Sequence, residues 1–317
     1  MKISLVIPVY NEVESLPHLD QAIRESLAGR DYEVVYVDDG STDGSVEVLE
    51  RLARQDSGHS RAVILRRNFG QTAALAAGID HSEGDVIVTL DADMQNDPAD
   101  IPTLIQKIDE GYDVVSGWRV DRQDAALTRR LPSQMANWLI SRVTGVPLHD
   151  YGCTLKAYRR EVLEGFHLYG EMHRFIPAYA GGVGARIVEV PVRHHARRFG
   201  KAKYGLERTV KVILDLFTVK FLTSYAAKPI YIFGGAGLGM IAASFVVLLV
   251  LIARRIMLDE HMIRSPLLLL SVTAFILGAQ AILMGLLAEL TVRTYHESQA
   301  KPTYSVRRVI DPAHGTP

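Results

Sequence analysis

Three segments, ISLVIPVYNE (residues 3–12), EVVYVDDGS (33–41) and DVIVTLDADMQ (85–95), are built alike. Each is a short apolar, β-branched run that ends in acidic and turn-forming residues. AVILR (62–66) and YDVVSG (112–117) are further apolar runs, and helical patterns fill the intervals around 15–28, 43–54, 71–82 and 98–110. Nearly continuous apolar strands that alternate with helices indicate a mostly parallel α/β sheet covered on both faces.

Acidic side chains gather at the carboxyl edge of this predicted sheet, where open parallel sheets bind ligands. They are Glu12, Asp38, Asp39, Asp91 and Asp93. A cluster of carboxylates needs compensation, which a divalent cation supplies, although a lone Asp-x-Asp is more often turn chemistry. Asp93 and Gln95 offer hard oxygen ligands that suit Mg²⁺ or Mn²⁺. Mg²⁺ with few protein ligands completes its coordination shell with substrate phosphates, so the sequence predicts a ligand that carries a diphosphate. The sequence contains no GxxxxGK phosphate-binding loop.

The charge of the chain is divided between its halves. The formal net charge is -1, but residues 1–150 carry 14 Lys and Arg against 25 Asp and Glu, a net charge of -11. Residues 151–317 carry 21 against 11, a net charge of +10. Such asymmetry indicates an anionic partner, either nucleic acid or a membrane. The sequence has no basic-aromatic interleaving of the nucleic-acid-binding kind, so we expect a lipid bilayer and no nucleic acid.

Composition narrows the class of protein. Hydrophobic residues make up 48% of the 317 residues and charged residues 22%, which excludes a disordered or fibrous chain. The length suits a catalytic domain with an appendage. The single cysteine, Cys153, cannot form an intramolecular disulfide, which suits a reducing compartment. A nucleophilic role for its thiol is the alternative.

Two uncharged apolar runs, 229–253 and 265–288, lie in the second half, separated only by 254–264. Each is longer than the roughly 20 residues that a helix needs to cross a bilayer core. We therefore predict a hairpin of two transmembrane helices with both ends on the same side. A pair of buried helices in a soluble protein is the alternative, although such helices rarely run this long without a charge.

Residues around the hairpin predict its setting. Flanking basic residues favour cytoplasmic ends for both helices, although three loop arginines weaken this bias. Residues 206–228 predict an amphipathic helix in the headgroup layer, with packing on its own domain as the alternative. Gly235 and Gly239 form a GxxxG spacing, which is compatible with close helix packing in a homo-oligomer. The flanking basic residues are Arg208, Lys211, Lys220, Lys228, Arg293, Lys301, Arg307 and Arg308. The three loop arginines are Arg254, Arg255 and Arg264.

PVYNE (8–12), VDDGS (37–41) and DADMQ (91–95), in this order at strand ends, resemble the family-two glycosyltransferases of the GT-A fold. Further segments narrow the resemblance to the polyprenyl-phosphate glycosyltransferases: RRNFGQTAALAAGID (66–80), SGWR (116–119), DYGCTLKAYRR (150–160) and HHARRFGKAKYG (194–205). The predicted organisation is a catalytic domain at 1–205, a juxtamembrane helix at 206–228, two transmembrane helices at 229–291 and a cytoplasmic tail at 292–317.

The resemblance implies roles for residues around a nucleotide-sugar donor. Asp39 would accept a hydrogen bond from the base, and Asp91 would contact the nucleotide. Asp93 and Gln95 would bind the Mg²⁺ or Mn²⁺ that bridges the diphosphate. The full donor-binding set is Pro8, Tyr10, Glu12, Val37, Asp39, Asp91, Ala92, Arg119, Arg197 and Lys203.

Several of these residues have a plainer interpretation. Arg119 is alternatively a surface arginine, and Arg197 and Lys203 are alternatively membrane-facing residues attracted to anionic headgroups. The family often has Ser before this lysine, where the chain has Ala202. His194 and its neighbour His195 point to opposite faces if they lie on a strand, so we interpret both as structural or surface residues.

The resemblance also implies an acceptor, a polyprenyl phosphate. Arg129, Arg130 and Ser133 are candidates for binding its phosphate, because Arg suits bidentate phosphate contacts. Asp150 would orient the acceptor or a sugar hydroxyl, with a turn residue as the alternative. The predicted catalytic set is Asp91, Asp93, Asp150 and Arg119.

The predicted reaction is an inverting transfer of one sugar from a UDP- or GDP-linked donor to undecaprenyl phosphate at the cytoplasmic face of a bacterial-type inner membrane. An acceptor phosphate is anionic near neutral pH, so its attack needs little general-base help. One alternative is a non-catalytic, membrane-tethered subunit that binds nucleotide sugars. A less favoured alternative is a processive polysaccharide synthase, which usually carries a QxxRW motif that this sequence lacks.

Overall fold

The computed structural model describes residues 1–55, 59–120, 137–138, 140–142, 144–164, 168, 172–196, 230–258, 265–298 and 304–311. The chain divides into two compact units. The first comprises Met1–Val219 and Pro302–Pro317, and the second comprises Lys220–Lys301. The predicted amphipathic helix at 206–228 lies outside the described residues.

An eight-stranded sheet forms the centre of the first unit, in the order β7-β5-β6-β4-β1-β2-β3-β8. Strands β4, β1, β2 and β3 run parallel, as the apolar runs predict. Strand β6 is antiparallel to both β4 and β5, and β8 is antiparallel to β3, so the sheet is mixed. The strands are β1 (Ile3–Val9), β2 (Tyr32–Asp38), β3 (Ser60–Leu65), β4 (Val86–Thr89), β5 (Val114–Trp118), β6 (Lys156–Arg159), β7 (Ile187–Pro191) and β8 (Val306–Ile310).

Four helices connect the first five strands: α1 (Leu16–Ser26), α2 (Ser45–Gln55), α3 (Gln71–Asp80) and α4 (Ile101–Asp109). Their apolar residues recur at helical spacing and are buried, as in α4 with Ile101, Leu104, Ile105 and Ile108. The mostly parallel α/β fold predicted from the sequence is confirmed. Two short helices, Arg160–Leu163 and Ile176–Gly182, lie among the later strands.

The C-terminal segment differs from the predicted tail at 292–317. Residues Val306–Ile310 form β8, which pairs with Ala62–Leu65 at the edge of the sheet. Ile310 is buried, and Arg61 contacts Asp311 at 3.0 Å. The pattern VRRVI is too short and too charged to stand out as a strand, because an edge strand exposes part of its length to solvent.

The second unit contains two long apolar helices, Ile230–Leu258 and Pro266–Ser298. Their segments Phe233–Met257 and Pro266–Ala288 are long and apolar enough to cross a membrane. Only 17% and 11% of their most apolar windows are buried inside the structure, whereas a core helix of a soluble protein is mostly buried. The predicted apolar hairpin is confirmed, and the second helix continues beyond the predicted limit of 291.

Small residues hold the two apolar helices together. The Oγ atom of Ser244 donates to the carbonyl oxygen of Ser271 at 2.8 Å, and Ser271 Oγ donates to the carbonyl of Ser244 at 3.0 Å. A Cβ atom at Gly237 would lie 2.5 Å from the carbonyl oxygen of Gly278. At Gly239, a Cβ atom would meet no atom within 4 Å. Among the glycines of the hairpin, Gly237 thus packs against the facing helix and the GxxxG pair does not, and a homo-oligomer contact at that pair stays a prediction.

This packing predicts opposite results for two alanine substitutions in one helix. Gly237→Ala should destabilise the hairpin by about 1–3 kcal/mol, because its methyl group meets backbone that cannot move away. Gly239→Ala gains the same helix propensity, and its methyl group meets no neighbouring atom. This substitution should therefore be neutral or stabilising. Thermal unfolding of the detergent-solubilised protein measures both, and equal effects of the two substitutions would contradict the packing.

Candidate active site

The loops that follow β1 and β2 are joined by reciprocal hydrogen bonds. The backbone N–H of Asn11 donates to Ser41 Oγ at 2.9 Å, and the N–H of Thr42 donates to Asn11 Oδ1 at 2.8 Å. The N–H of Glu12 donates to Ser45 Oγ at 3.0 Å. Asn11 has a φ of 53°, in the left-handed region that asparagine tolerates. The PVYNE and VDDGS segments thus form one connected surface.

Asp39 joins the loop after β2 to the loop after β3. Its Oδ1 atom accepts the N–H of Phe69 at 2.7 Å, and its Oδ2 atom accepts the N–H of Gly70 at 2.9 Å. Burial raises the pKa of Asp39, and the two backbone N–H groups act in the opposite direction. A carboxylate has about four lone-pair positions, so the predicted hydrogen bond from a base stays compatible with this arrangement.

Gly40 lets these two loops approach each other closely. A Cβ atom at this position would lie 2.6 Å from the Asn68 backbone nitrogen and 2.7 Å from the Arg67 carbonyl carbon, and its φ is +74°. Asp38 accepts the N–H groups of Gly40 at 3.1 Å and Ser41 at 3.2 Å, which closes the turn. The glycine of VDDGS is therefore required by backbone contact as well as by conformation.

The DADMQ turn after β4 carries the predicted metal ligands. The N–H of Gln95 donates to Asp93 Oδ1 at 3.1 Å, and Met94 has a φ of 59° that tightens the turn. Gln71 Nε2 donates to Asp91 Oδ1 at 2.7 Å, which connects the turn to the start of α3. The sequence analysis did not single out Gln71, because its link to the site is this hydrogen bond, which forms only in the folded chain.

The donor set at this turn fits a divalent metal with few protein ligands. Asp93 supplies a carboxylate and Gln95 an amide oxygen, the hard ligands that Mg²⁺ and Mn²⁺ prefer. Among the described residues, no group of three or more His, Cys, Asp or Glu side chains forms a cage. The arrangement matches a metal whose remaining ligands are water and substrate phosphates. The assignment of Asp93 and Gln95 as ligands stays a prediction.

Two histidines lie beside this turn, and their contacts agree with the structural position that the sequence indicated. His194 forms an antiparallel β-bridge with Asn96. The N–H of His195 donates to the carbonyl oxygen of Gln95 at 2.8 Å, and its Nε2 lies 3.2 Å from Asp97 Oδ2. The segment after β7 therefore supports the DADMQ turn, and its position in the same motif as Arg197 was the available signal.

Arg119 and Asp150 form a buried bidentate pair. Arg119 Nε donates to Asp150 Oδ2 at 2.7 Å, and Arg119 Nη2 donates to Asp150 Oδ1 at 2.9 Å. The side chains are 14% and 3% exposed. The structure brings these two predicted residues together, and Asp150 Oδ1 also accepts the N–H of Gly152 at 3.1 Å, so it closes a turn as well. Their roles in binding and catalysis stay predictions.

Glu189 on β7 supports this pair. Its carboxylate accepts the backbone N–H groups of His149 at 2.8 Å and Asp150 at 3.0 Å, and it contacts His149 Nδ1 at 2.8 Å. The His149 ring also stacks on Trp118, with 4.4 Å between ring centroids. Sequence reasoning missed Glu189, because a glutamate in a short strand has no motif of its own.

The remaining predicted donor residues differ in their exposure. Tyr10 is 36% exposed at the end of β1, whereas the side chains of Val37 and Ala92 are buried in the core. A nucleoside contact at Val37 or Ala92 would therefore use backbone atoms. Pro8 is half-buried, and Glu12 Oε2 accepts a hydrogen bond from Ser15 Oγ at 3.1 Å. Arg129, Arg130, Ser133, Arg197 and Lys203 lie outside the described residues.

A small cavity is lined by Asp91, Cys153, Lys156, His173 and Arg174, among others. Burial raises the pKa of the Cys153 thiol to about 11, so the thiolate that a nucleophile needs is disfavoured. Burial lowers the pKa of Lys156 to about 8, and its Nζ donates to the Tyr151 carbonyl at 3.0 Å. The alternative of a nucleophilic Cys153 is not supported.

Lys156 should make stability depend on pH in a defined window. Unfolding restores its ordinary pKa of 10.5, so the unfolded chain binds one more proton between about pH 8 and pH 10.5. The free energy of unfolding of the wild type, measured relative to that of Lys156→Met, should therefore rise with pH across this window. Below about pH 8 this difference in unfolding free energy should not change with pH. Thermal unfolding across the window checks this, with the exposed Arg51→Met as control, because arginine stays protonated throughout. A pH-independent difference would contradict it.

Removing the support under Asp150 should lower activity without removing a reacting group. Glu189→Ala frees the turn at His149 and Asp150, so the sugar transfer implied by the resemblance should fall by about 10- to 100-fold. Glu189→Gln keeps an acceptor oxygen and should lose less. Initial rates measure both, and the exposed Glu161→Ala serves as control. Wild-type rates in a folded Glu189→Ala variant would exclude the positioning role.

The chain is similar to known proteins over nearly its full length. The chain is 42% identical over 316 residues to the dodecaprenyl-phosphate galacturonate synthase of Rhizobium johnstonii, covering 98% of this chain and 94% of that protein. It is 42% identical over 311 residues to an undecaprenyl-phosphate 4-deoxy-4-formamido-L-arabinose transferase of Klebsiella pneumoniae, with the same coverage.

A solved structure extends the comparison to the fold. The chain is similar in structure to the glucosyl-3-phosphoglycerate synthase of Mycobacterium tuberculosis, which was crystallised with Mn²⁺, UDP and glucosyl-3-phosphoglycerate. The alignment covers 70% of this chain and 79% of that protein, with a TM-score of 0.55 and 18% sequence identity. Residues 4–166 match the model of glycosyl transferase family 2. The resemblance seen in the sequence is thereby confirmed, and the chain belongs to glycosyl transferase family 2.

Proposed function

We propose that the chain transfers one sugar from a UDP- or GDP-linked donor to undecaprenyl phosphate, with inversion at the anomeric carbon and with a divalent metal. The observation that carries the proposal is the single edge formed by the PVYNE, VDDGS and DADMQ loops, beside the Arg119–Asp150 pair. Near-full-length similarity to two polyprenyl-phosphate sugar transferases supports the class of acceptor.

The donor side of the site is built for a nucleotide. Tyr10 is exposed at the end of β1, and Asp39 is fixed beside it by the Phe69 and Gly70 N–H groups. The nucleoside would lie along these two loops, and its diphosphate would reach the DADMQ turn. Asp93 and Gln95 would hold Mg²⁺ or Mn²⁺, which neutralises a departing diphosphate when it is bound.

The acceptor side needs orientation more than proton transfer. A phosphate oxygen is already anionic near neutral pH, so it attacks the anomeric carbon without a strong general base. Asp150 holds the Arg119 guanidinium in a fixed plane, and the guanidinium geometry suits a phosphate oxygen. Arg119 would stabilise the diphosphate leaving group, while Arg129, Arg130 and Ser133 are the proposed contacts of the acceptor phosphate.

The connectivity supports a membrane setting with the catalytic unit in the cytoplasm. Strands before and after the apolar hairpin belong to one sheet, so the chain leaves the catalytic unit and returns to it. With two spans, both ends of the hairpin would lie on the same side of the bilayer. Basic residues at those ends favour the cytoplasmic side, although Arg307 and Arg308 belong to β8.

The proposed metal site is tested by one substitution and its control. Asp93→Ala should lower the formation of an organic-extractable sugar lipid by at least about a hundredfold, because the metal loses its carboxylate ligand. Asp109→Ala, at an exposed position at the end of α4, should leave the rate unchanged. The assay uses undecaprenyl phosphate, a panel of UDP- and GDP-linked sugars, and chelation followed by re-addition of Mg²⁺ or Mn²⁺.

The same panel separates the alternatives. Unchanged activity of Asp93→Ala would exclude the metal assignment. Tight nucleotide binding without turnover, for every donor and acceptor, would instead indicate a non-catalytic binding subunit. An elongated, water-soluble polymer would indicate a processive synthase.

A further inference from the structure

The last strand of the chain adjoins the loop at the candidate nucleotide site. Strand β8 pairs with β3 from Ile310 opposite Ala62 to Val306 opposite Leu65. The contact continues beyond the strands, since the N–H of Arg66 donates to the carbonyl oxygen of Ser305 at 3.0 Å. Arg66 is the first residue of the loop at 66–70, so the hydrogen-bonded ladder reaches that loop.

Tyr304 extends this attachment to the helix that follows the loop. Its hydroxyl donates to Asp80 Oδ2 at 2.8 Å, at the C-terminal end of α3. Tyr304, Val306 and Val309 also pack against a buried cluster contributed by β2, β3 and α3, and Phe69 of the loop packs against the same cluster. The segment at 304–310 therefore holds both the strand that enters the loop and the helix that leaves it.

The other side of the loop contacts the residues that face a nucleotide. The N–H groups of Phe69 and Gly70 donate to the Asp39 carboxylate, and Asn68 lies against Gly40. Gln71 follows directly and donates to Asp91. A shift of the loop would thus displace Asp39 and release Asp91 from its amide partner.

We propose that β8 and Tyr304 are positioning elements of the nucleotide site. By fixing the loop at 66–70, they hold Asp39 and Asp91 where a nucleoside diphosphate binds; this role rests on the proposed function. In the sequence, only residues 299–303 separate Tyr304 from Ser298, the last residue of the second apolar helix. A strand that only covered the sheet edge would stabilise the fold without affecting nucleotide affinity.

The test measures nucleotide binding in full-length protein. UDP and GDP, each with Mg²⁺, are titrated into wild type, Tyr304→Phe, Tyr304→Ala and Val309→Asp. We expect Tyr304→Ala and Val309→Asp to raise the nucleotide Kd about tenfold, the equivalent of one or two neutral hydrogen bonds. The rise for Tyr304→Phe should be smaller, because only the bond to Asp80 is lost. Arg307→Ala, an exposed residue of the same strand, is the control.

Two further measurements keep the outcome specific. Amide hydrogen exchange of the peptide around Phe69 and Gly70 should accelerate in Tyr304→Phe and Tyr304→Ala, and the donor KM should rise more than kcat falls. Folded variants with wild-type nucleotide affinity and unchanged exchange at this peptide would overturn the proposal. Failure of the proposed function looks different: wild type itself would form no sugar lipid, while nucleotide binding would remain measurable in every variant.

Discussion

The Asp39 carboxylate accepts two backbone hydrogen bonds, at 2.7 Å and 2.9 Å, and the geometry of the nucleotide edge depends on them. They tie the end of β2 to the start of α3, whose first residue, Gln71, reaches Asp91 after β4. Burying an ionised carboxylate is costly and raises the pKa of Asp39, and the two N–H groups offset part of that cost. One buried group thereby fixes the loops after three strands.

Hydrogen bonds also compensate most of the carboxylates at this edge, which leaves fewer of them to require a metal ion. The sequence places five carboxylates at one edge of the sheet, and a divalent cation would compensate their combined charge. In the structure, Asp38 and Asp39 each accept two backbone N–H groups, and Asp91 accepts the side-chain amide of Gln71. The case for Mg²⁺ or Mn²⁺ therefore depends on Asp93 and Gln95 and not on the overall negative charge of the first half.

Periodicity predicted the elements whose apolar residues follow a regular local pattern. The runs at β1 to β5 and the apolar faces of the helices between them are buried, so local pattern and burial agree there. In strands β6 (KAYR) and β8 (VRRVI), Lys or Arg residues interrupt the apolar residues, so no apolar run marks these strands in the sequence. Motif residues could be predicted at the site, whereas Gln71 and Glu189 act through contacts that only folding creates.

The Arg119–Asp150 pair limits what substitutions at the site can reveal. Removing either partner leaves the other charge buried without its neighbour, which is strongly destabilising in itself. A loss of activity in such variants therefore mixes the chemical role of the side chain with disruption of the loop. Residues one contact away avoid this difficulty, because Glu189 and Tyr304 support the site without facing the substrates that we propose. On the roles that we propose, their substitutions would shift Asp150 and Asp39 while leaving both carboxylates in the chain, so they would separate positioning from chemistry.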